Sequence, residues 1–124
     1  MSESINLFRN DSHPYAIAAG QVIFRDGDTG DVMFGVIEGE IAIVKHGTLV
    51  EIIGAGGIVG EMALIDHGPR SADAVARTDA KVALIDQDRF ERLVSDHPTF
   101  ALQVMRVMAE RIRRANEQRT GTAG

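Results

Sequence analysis

Residues 21–86 consist of short apolar runs separated by glycine and aspartate. The runs, at 22–24, 33–37, 41–45, 49–53, 72–76 and 81–85, have the length of β-strands, and the breaks between them suit tight turns. Short strands that turn about every eight to twelve residues favour a rolled antiparallel sheet, because closure hides the sheet edges. We therefore predict a mainly β fold with flanking helices, a double-stranded β-helix of the jelly-roll type (a cupin-like β-roll) over about residues 15–86.

Helical signals begin only after this region. Asp88 followed three residues later by Glu91 has the pattern of a capping box, which predicts a short helix from residue 88 to about 95. Pro98 fits the first turn of a second helix that we expect to reach about residue 118. The C-terminal helices are thus predicted over about residues 88–118, while residues 1–13 and 120–124 look like loose ends.

The second predicted helix has an apolar face of roughly 160°, wider than the stripe of about 100° that docks on one surface. Its residues are Phe100, Ala101, Val104, Met105, Val107, Met108, Ile112 and Ala115. Five of these keep a coiled-coil spacing, namely Ala101, Met105, Met108, Ile112 and Ala115. A homodimer through the C-terminal helix is therefore one expectation, with a helix packed wholly on its own chain as the alternative.

Composition limits the remaining choices. A chain of 124 residues suits one domain over residues 1–124. The net charge of −5 argues against a general nucleic-acid binder, whose affinity depends on a basic face. With no cysteine, no export signal and no long apolar run, we expect a cytoplasmic protein without membrane contact.

The segment 54–72 carries the candidate site. Gly60 precedes the good helix formers 61–65, so we predict a short helix whose first amide groups face a phosphate. Arg70 supplies a guanidinium for phosphate oxygens, Ser71 adds a hydroxyl, and Glu61 can accept from a sugar hydroxyl. A capped helix with a Glu61 to Arg70 salt bridge fits the same residues, and spacing alone does not decide between them.

Two motifs resemble the cyclic-nucleotide-binding domain family of bacterial catabolite activators, kinase regulatory subunits and nucleotide-gated channels. Gly60-Glu61-Met62-Ala63-Leu64-Ile65, four residues, then Arg70-Ser71-Ala72 is similar to the family's phosphate-binding cassette. The stretches 20–24, 26–34 and 36–40 resemble its first strands and glycine turns, and the likeness covers about residues 15–115.

The resemblance implies a regulatory module that binds a cyclic nucleotide, cAMP or cGMP, with no other cofactor. By that likeness Glu61 and Gly60 serve the ribose 2′-hydroxyl, Arg70 the phosphate, and Ser71 and neighbouring main-chain amides serve as further phosphate donors. The implied ligand-binding residues are Gly60, Glu61, Met62, Ala63, Arg70, Ser71 and Ala72.

For Arg111 and Asp73 the sequence leaves the role of the side chain open. The family closes its pocket with the C-terminal helix, and Arg111 lies among the apolar residues of that helix, so it either stacks on the base or pairs with a carboxylate of the β-roll. Asp73 stands where many ligand-binding members have threonine. Its charge would weaken binding if the side chain pointed into the site.

Other functions fit the sequence less well. His13, His46, His67 and His97 are scattered singly, so a cupin-type metalloenzyme lacks ligands, and covalent catalysis lacks a nucleophile. We expect no catalytic residues, no metal and no enzyme activity. The chain ends near the long helix, where catabolite activators continue into a helix-turn-helix, so we expect no direct DNA binding. The main alternative is an orphan domain that serves as an interaction or dimerisation module without nucleotide.

Overall fold

The computed structural model describes Leu7, Phe8, Asp11 and residues 13–123, with side chains up to residue 117. Within this part of the chain, eight strands form two four-stranded antiparallel sheets. The first sheet has the order β1 (Tyr15–Ile17), β8 (Ala80–Ile85), β3 (Met33–Glu38) and β6 (Ile58–Val59). The second has the order β2 (Val22–Phe24), β7 (Asp73–Ala76), β4 (Ile41–Lys45) and β5 (Thr48–Ile53). The predicted jelly-roll fold is confirmed.

Three helices complete the described chain: α1 (Glu61–Asp66), α2 (Gln87–Asp96) and α3 (Thr99–Ala123). The predicted cap of α2 was wrong by two residues, because the Asp86 side chain, not that of Asp88, accepts from the Arg89 amide at 2.8 Å. The predicted end of α3 near residue 118 was also too early, since its backbone stays helical to Ala123.

The core has two parts, one inside the roll and one between the first sheet and the helices. Inside the roll, buried residues from both sheets meet, including Val36, Ile41 and Val82. On the outer face of the first sheet, Phe100 of α3 packs with Ile85 of β8. Strand β8 can serve both parts because successive side chains of a strand point to opposite faces. Helix α3 is thereby fixed to the roll along its N-terminal half.

Phe8 corrects the expectation that residues 1–13 are loose. Its ring is 1% exposed and lies edge-on to Phe100, with ring centroids 5.9 Å apart. Gly35 makes room for it, because a Cβ at that position would overlap the Phe8 ring. The phenylalanine therefore belongs to the core beneath α3.

No helix in the described part of the chain is both long and apolar enough to cross a membrane.

Candidate functional site

The turn between β6 and α1 begins the site. Ile58 and Val59 are buried and fix the strand, after which Gly60 turns the chain with φ 79° and ψ 19°. This left-handed conformation favours glycine because it lacks a Cβ. It brings the first turn of α1, with Glu61, directly against the roll.

Arg70 lies across this turn and is 5% exposed. Its Nη1 donates to the Gly60 carbonyl at 3.0 Å and its Nη2 to the Val32 carbonyl at 2.9 Å. The guanidinium carbon also lies 4.3 Å from the centre of the Phe24 ring, a cation–π contact. Among the described residues Glu61 pairs with Arg111 and not with Arg70, so the Glu61 to Arg70 salt bridge considered above does not form.

Electrostatics at Arg70 follow from this burial. Loss of water lowers the pKa of the guanidinium, and the charges of Asp31, Asp28 and Glu61 oppose that shift. An arginine stays protonated in proteins, so the site holds a buried positive charge that main-chain carbonyls solvate only in part.

Glu61 is paired instead with α3. Its carboxylate, 4% exposed, accepts from Nη1 of Arg111, while Nη2 of Arg111 donates to the Ile58 carbonyl at 2.7 Å. Of the two alternatives left open for Arg111, the structure therefore has pairing with a carboxylate of the β-roll region. This contact ties α3 to the turn that begins the site.

A second carboxylate extends the pairing. Glu51 on β5 forms ion pairs with Nε of Arg111 at 3.3 Å and with Nη1 of Arg114 at 3.2 Å. Two acids of the roll and two arginines of α3 thus form one neutral cluster, which we call the α3 anchor: Glu51, Glu61, Arg111 and Arg114. The sequence signalled Arg111 by its place among apolar residues of the helix, whereas the signal for Glu51 is that it interrupts an otherwise apolar strand.

A cavity of about 440 Å³ lies between the roll, α1 and α3. This volume is within the range of about 300 to 1,000 Å³ usual for small-molecule sites. All eight residues named from the sequence line it: Gly60, Glu61, Met62, Ala63, Arg70, Ser71, Ala72 and Arg111. The wall also contains residues that the sequence did not single out, among them Phe24, Ile43, Val50, Glu51 and Arg114.

Asp73 is outside this wall. Its Oδ1 accepts from the Asp26 amide at 2.7 Å, which holds the carboxylate against the turn after β2. The acid that departs from the family pattern therefore serves a turn and does not face the cavity.

Among the described residues, no three or more histidine and acidic side chains come together as metal ligands would. His46 lies in the turn between β4 and β5 and His67 directly follows α1, and both have positive φ.

Comparison with known proteins gives consistent matches. The family model described as "Cyclic nucleotide-binding domain" matches residues 15–97. The CRP-like cAMP-activated global transcriptional regulator of Mycobacterium tuberculosis is 30% identical over 108 residues, which are 83% of this chain and 48% of the regulator. The chain thus spans about half the length of this curated relative.

Solved structures agree with the sequence matches. The catabolite activator protein of Thermus thermophilus superimposes with a TM-score of 0.79 at 28% identity, over 90% of this chain and 55% of that one. The EAL enzyme Bd1971 in its cAMP-bound form superimposes with a TM-score of 0.62 at 33% identity, over 87% of this chain and 30% of that one.

Proposed function

Because the chain belongs to the cyclic nucleotide-binding domain family, we propose that it binds cAMP or cGMP as a regulatory module and relays occupancy through α3. The module has no catalytic residues of its own in this proposal. In this proposal the concentration of the cyclic nucleotide determines which position α3 adopts.

The observation that carries the proposal is the buried guanidinium of Arg70 at the wall of the cavity, which pairs with no carboxylate among the described residues. Burying a charge without a directly paired counter-ion is costly, and the two carbonyls and the more distant acids offset only part of that cost. A phosphodiester in the cavity would supply the missing negative charge. Its oxygens would take the guanidinium N–H groups that the carbonyls leave unused.

The sugar and base would occupy the rest of the cavity. Glu61 is an acceptor at the wall and is suited to a ribose 2′-hydroxyl. Apolar side chains from both sides, including Val50 of β5 and Met108 and Ile112 of α3, provide surfaces for a purine.

The relay would follow from the shared wall. Because α3 residues line the cavity, a ligand makes different contacts with different helix positions and biases the equilibrium between them. The α3 anchor links that helix to Glu61, so a change at the sugar site reaches α3 through a direct contact.

Titration calorimetry with cAMP and cGMP tests the binding. Replacing Arg70 with alanine should weaken binding by roughly 2 to 5 kcal/mol, which is about 30-fold to a few thousandfold, because a phosphate charge would be left unpaired. Arg77→Ala is the matched control, since Arg77 is exposed and pairs with Glu40 away from the cavity. Equal affinities of the wild type and Arg70→Ala would reject the role of Arg70.

An orphan interaction module is the second candidate. Its support is the row of exposed apolar side chains on α3, where Leu102 is 46%, Met105 58% and Ile112 60% exposed. If the chain is an orphan module, calorimetry detects no binding of cAMP or cGMP to the wild type, and the chain dimerises through α3. Sedimentation that shows only monomer at about 100 μM protein, with and without nucleotide, would remove the dimer.

A further inference from the structure

Gly30 lies against the guanidinium of Arg70. A Cβ added to Gly30 would be 2.5 Å from Nη2, 2.7 Å from Nε and 2.8 Å from Cζ of Arg70. These distances are well below ordinary contact, so even a methyl group at position 30 overlaps the guanidinium. The space that Arg70 occupies therefore exists only because residue 30 has no side chain.

The backbone gives no other reason for glycine at this position. Gly27 in the same loop has φ +89°, and a Cβ added there would meet nothing within 4 Å. Its backbone conformation therefore explains the glycine. Gly60 combines a positive φ with closeness to Arg70. Gly30 has no positive φ, which leaves the room needed by Arg70 as the observed constraint.

The turn that carries Gly30 is held in register with the main chain of Arg70. The Gly27 amide donates to the Arg70 carbonyl at 2.8 Å, and the Arg70 amide donates to the Asp28 carbonyl at 2.8 Å. These two bonds oppose movement of the turn away from Arg70. A methyl group at position 30 would therefore displace the flexible end of the arginine and leave the backbone in place.

We propose that Gly30 is a positioning residue for ligand binding, which holds the guanidinium of Arg70 on the Gly60 and Val32 carbonyls where it meets the phosphate. This inference rests on the proposed function. It adds a residue outside the cassette, about forty positions earlier in the chain, to the determinants of affinity.

Gly30→Ala tests the inference, with Gly54→Ala as the matched control. Gly54 also lacks a positive φ, and a Cβ there meets nothing within 4 Å. With the nucleotide that the wild type binds more tightly, calorimetry should show at least about a tenfold loss of affinity for Gly30→Ala and less than about a twofold change for Gly54→Ala. Wild-type affinity in Gly30→Ala would overturn the proposal.

A double-mutant cycle separates positioning from general damage to the fold. Gly30→Ala should shift the melting temperature of the wild type but leave that of Arg70→Ala unchanged, because the overlap needs the guanidinium. Equal shifts in both backgrounds would contradict the contact. If the wild type binds neither nucleotide, the proposed function fails, whereas the cycle still decides whether residue 30 positions Arg70.

Discussion

At the scale of single residues, the proposed role of Arg70 sets ligand binding against the stability of the empty domain. The side chain is almost fully buried, and its charge is met by two carbonyl oxygens instead of a carboxylate. Groups placed at a cost to the fold are common at binding sites, where a ligand later provides the missing partner. The empty domain should therefore lose little when this charge is removed.

Arg70→Met tests that statement. The change removes the desolvation cost and fills much of the same space, but it leaves two carbonyls without their donors, so the effects should nearly cancel. We expect a melting temperature within about 5 °C of wild type without ligand, together with loss of the stabilisation that nucleotide confers. Thermal unfolding measures both. A fall of more than about 10 °C in the empty protein would mean that Arg70 chiefly supports the fold.

The sequence identified the residues of the cassette but not the residues that contact them in the fold. Gly60, Glu61 and Arg70 lie within one short segment, so their proximity was readable from the sequence. Gly30 and Glu51 approach them only through the pairing of strands and the docking of α3. Phe8 was missed for a similar reason, because a single aromatic residue in a polar segment gives no periodic signal.

At the scale of elements, the strands with clear apolar runs were predicted close to their observed bounds. Strands β1 and β6 were not among the predicted runs, and β6, with two residues, has too few positions to show alternation. The presence of α3 and the width of its apolar face were visible in the sequence, although the end of the helix was placed too early. Which residues of that face would be covered was not, because packing of Phe100, Val104 and Val107 depends on the first sheet.

The ion pairs of the α3 anchor should limit how often the C-terminal half of α3 opens. Glu51→Gln removes a charge that holds both Arg111 and Arg114, so the C-terminal half of α3 should open more often. Hydrogen exchange of amides 108–117 should quicken about 5- to 30-fold, corresponding to roughly 1 to 2 kcal/mol of local stability. Glu117→Gln, on the exposed face of the same helix, is the control. Unchanged exchange in Glu51→Gln would show that the apolar contacts of α3 suffice to hold it.

At the scale of the whole molecule, the two core regions have different structural roles. The first region forms the interior of the roll, and the second fixes the first half of α3 to the roll through Phe8 and Phe100. From Met108 onward α3 faces the roll across the cavity and contributes Met108, Arg111 and Ile112 to the wall. In the proposed function, a ligand would therefore act on the C-terminal part of α3 while the N-terminal part stays packed on the first sheet.

Nuclear magnetic resonance of the arginine side chains would test the central claim most directly. The Nε–Hε signal of Arg70 should shift during titration with cAMP or cGMP and saturate at one ligand per chain, while that of the exposed Arg77 stays in place. Adenosine, which has the base and the sugar but no phosphate, should leave the Arg70 signal unchanged. An Arg70 signal that stays unmoved at saturating cyclic nucleotide would contradict the account.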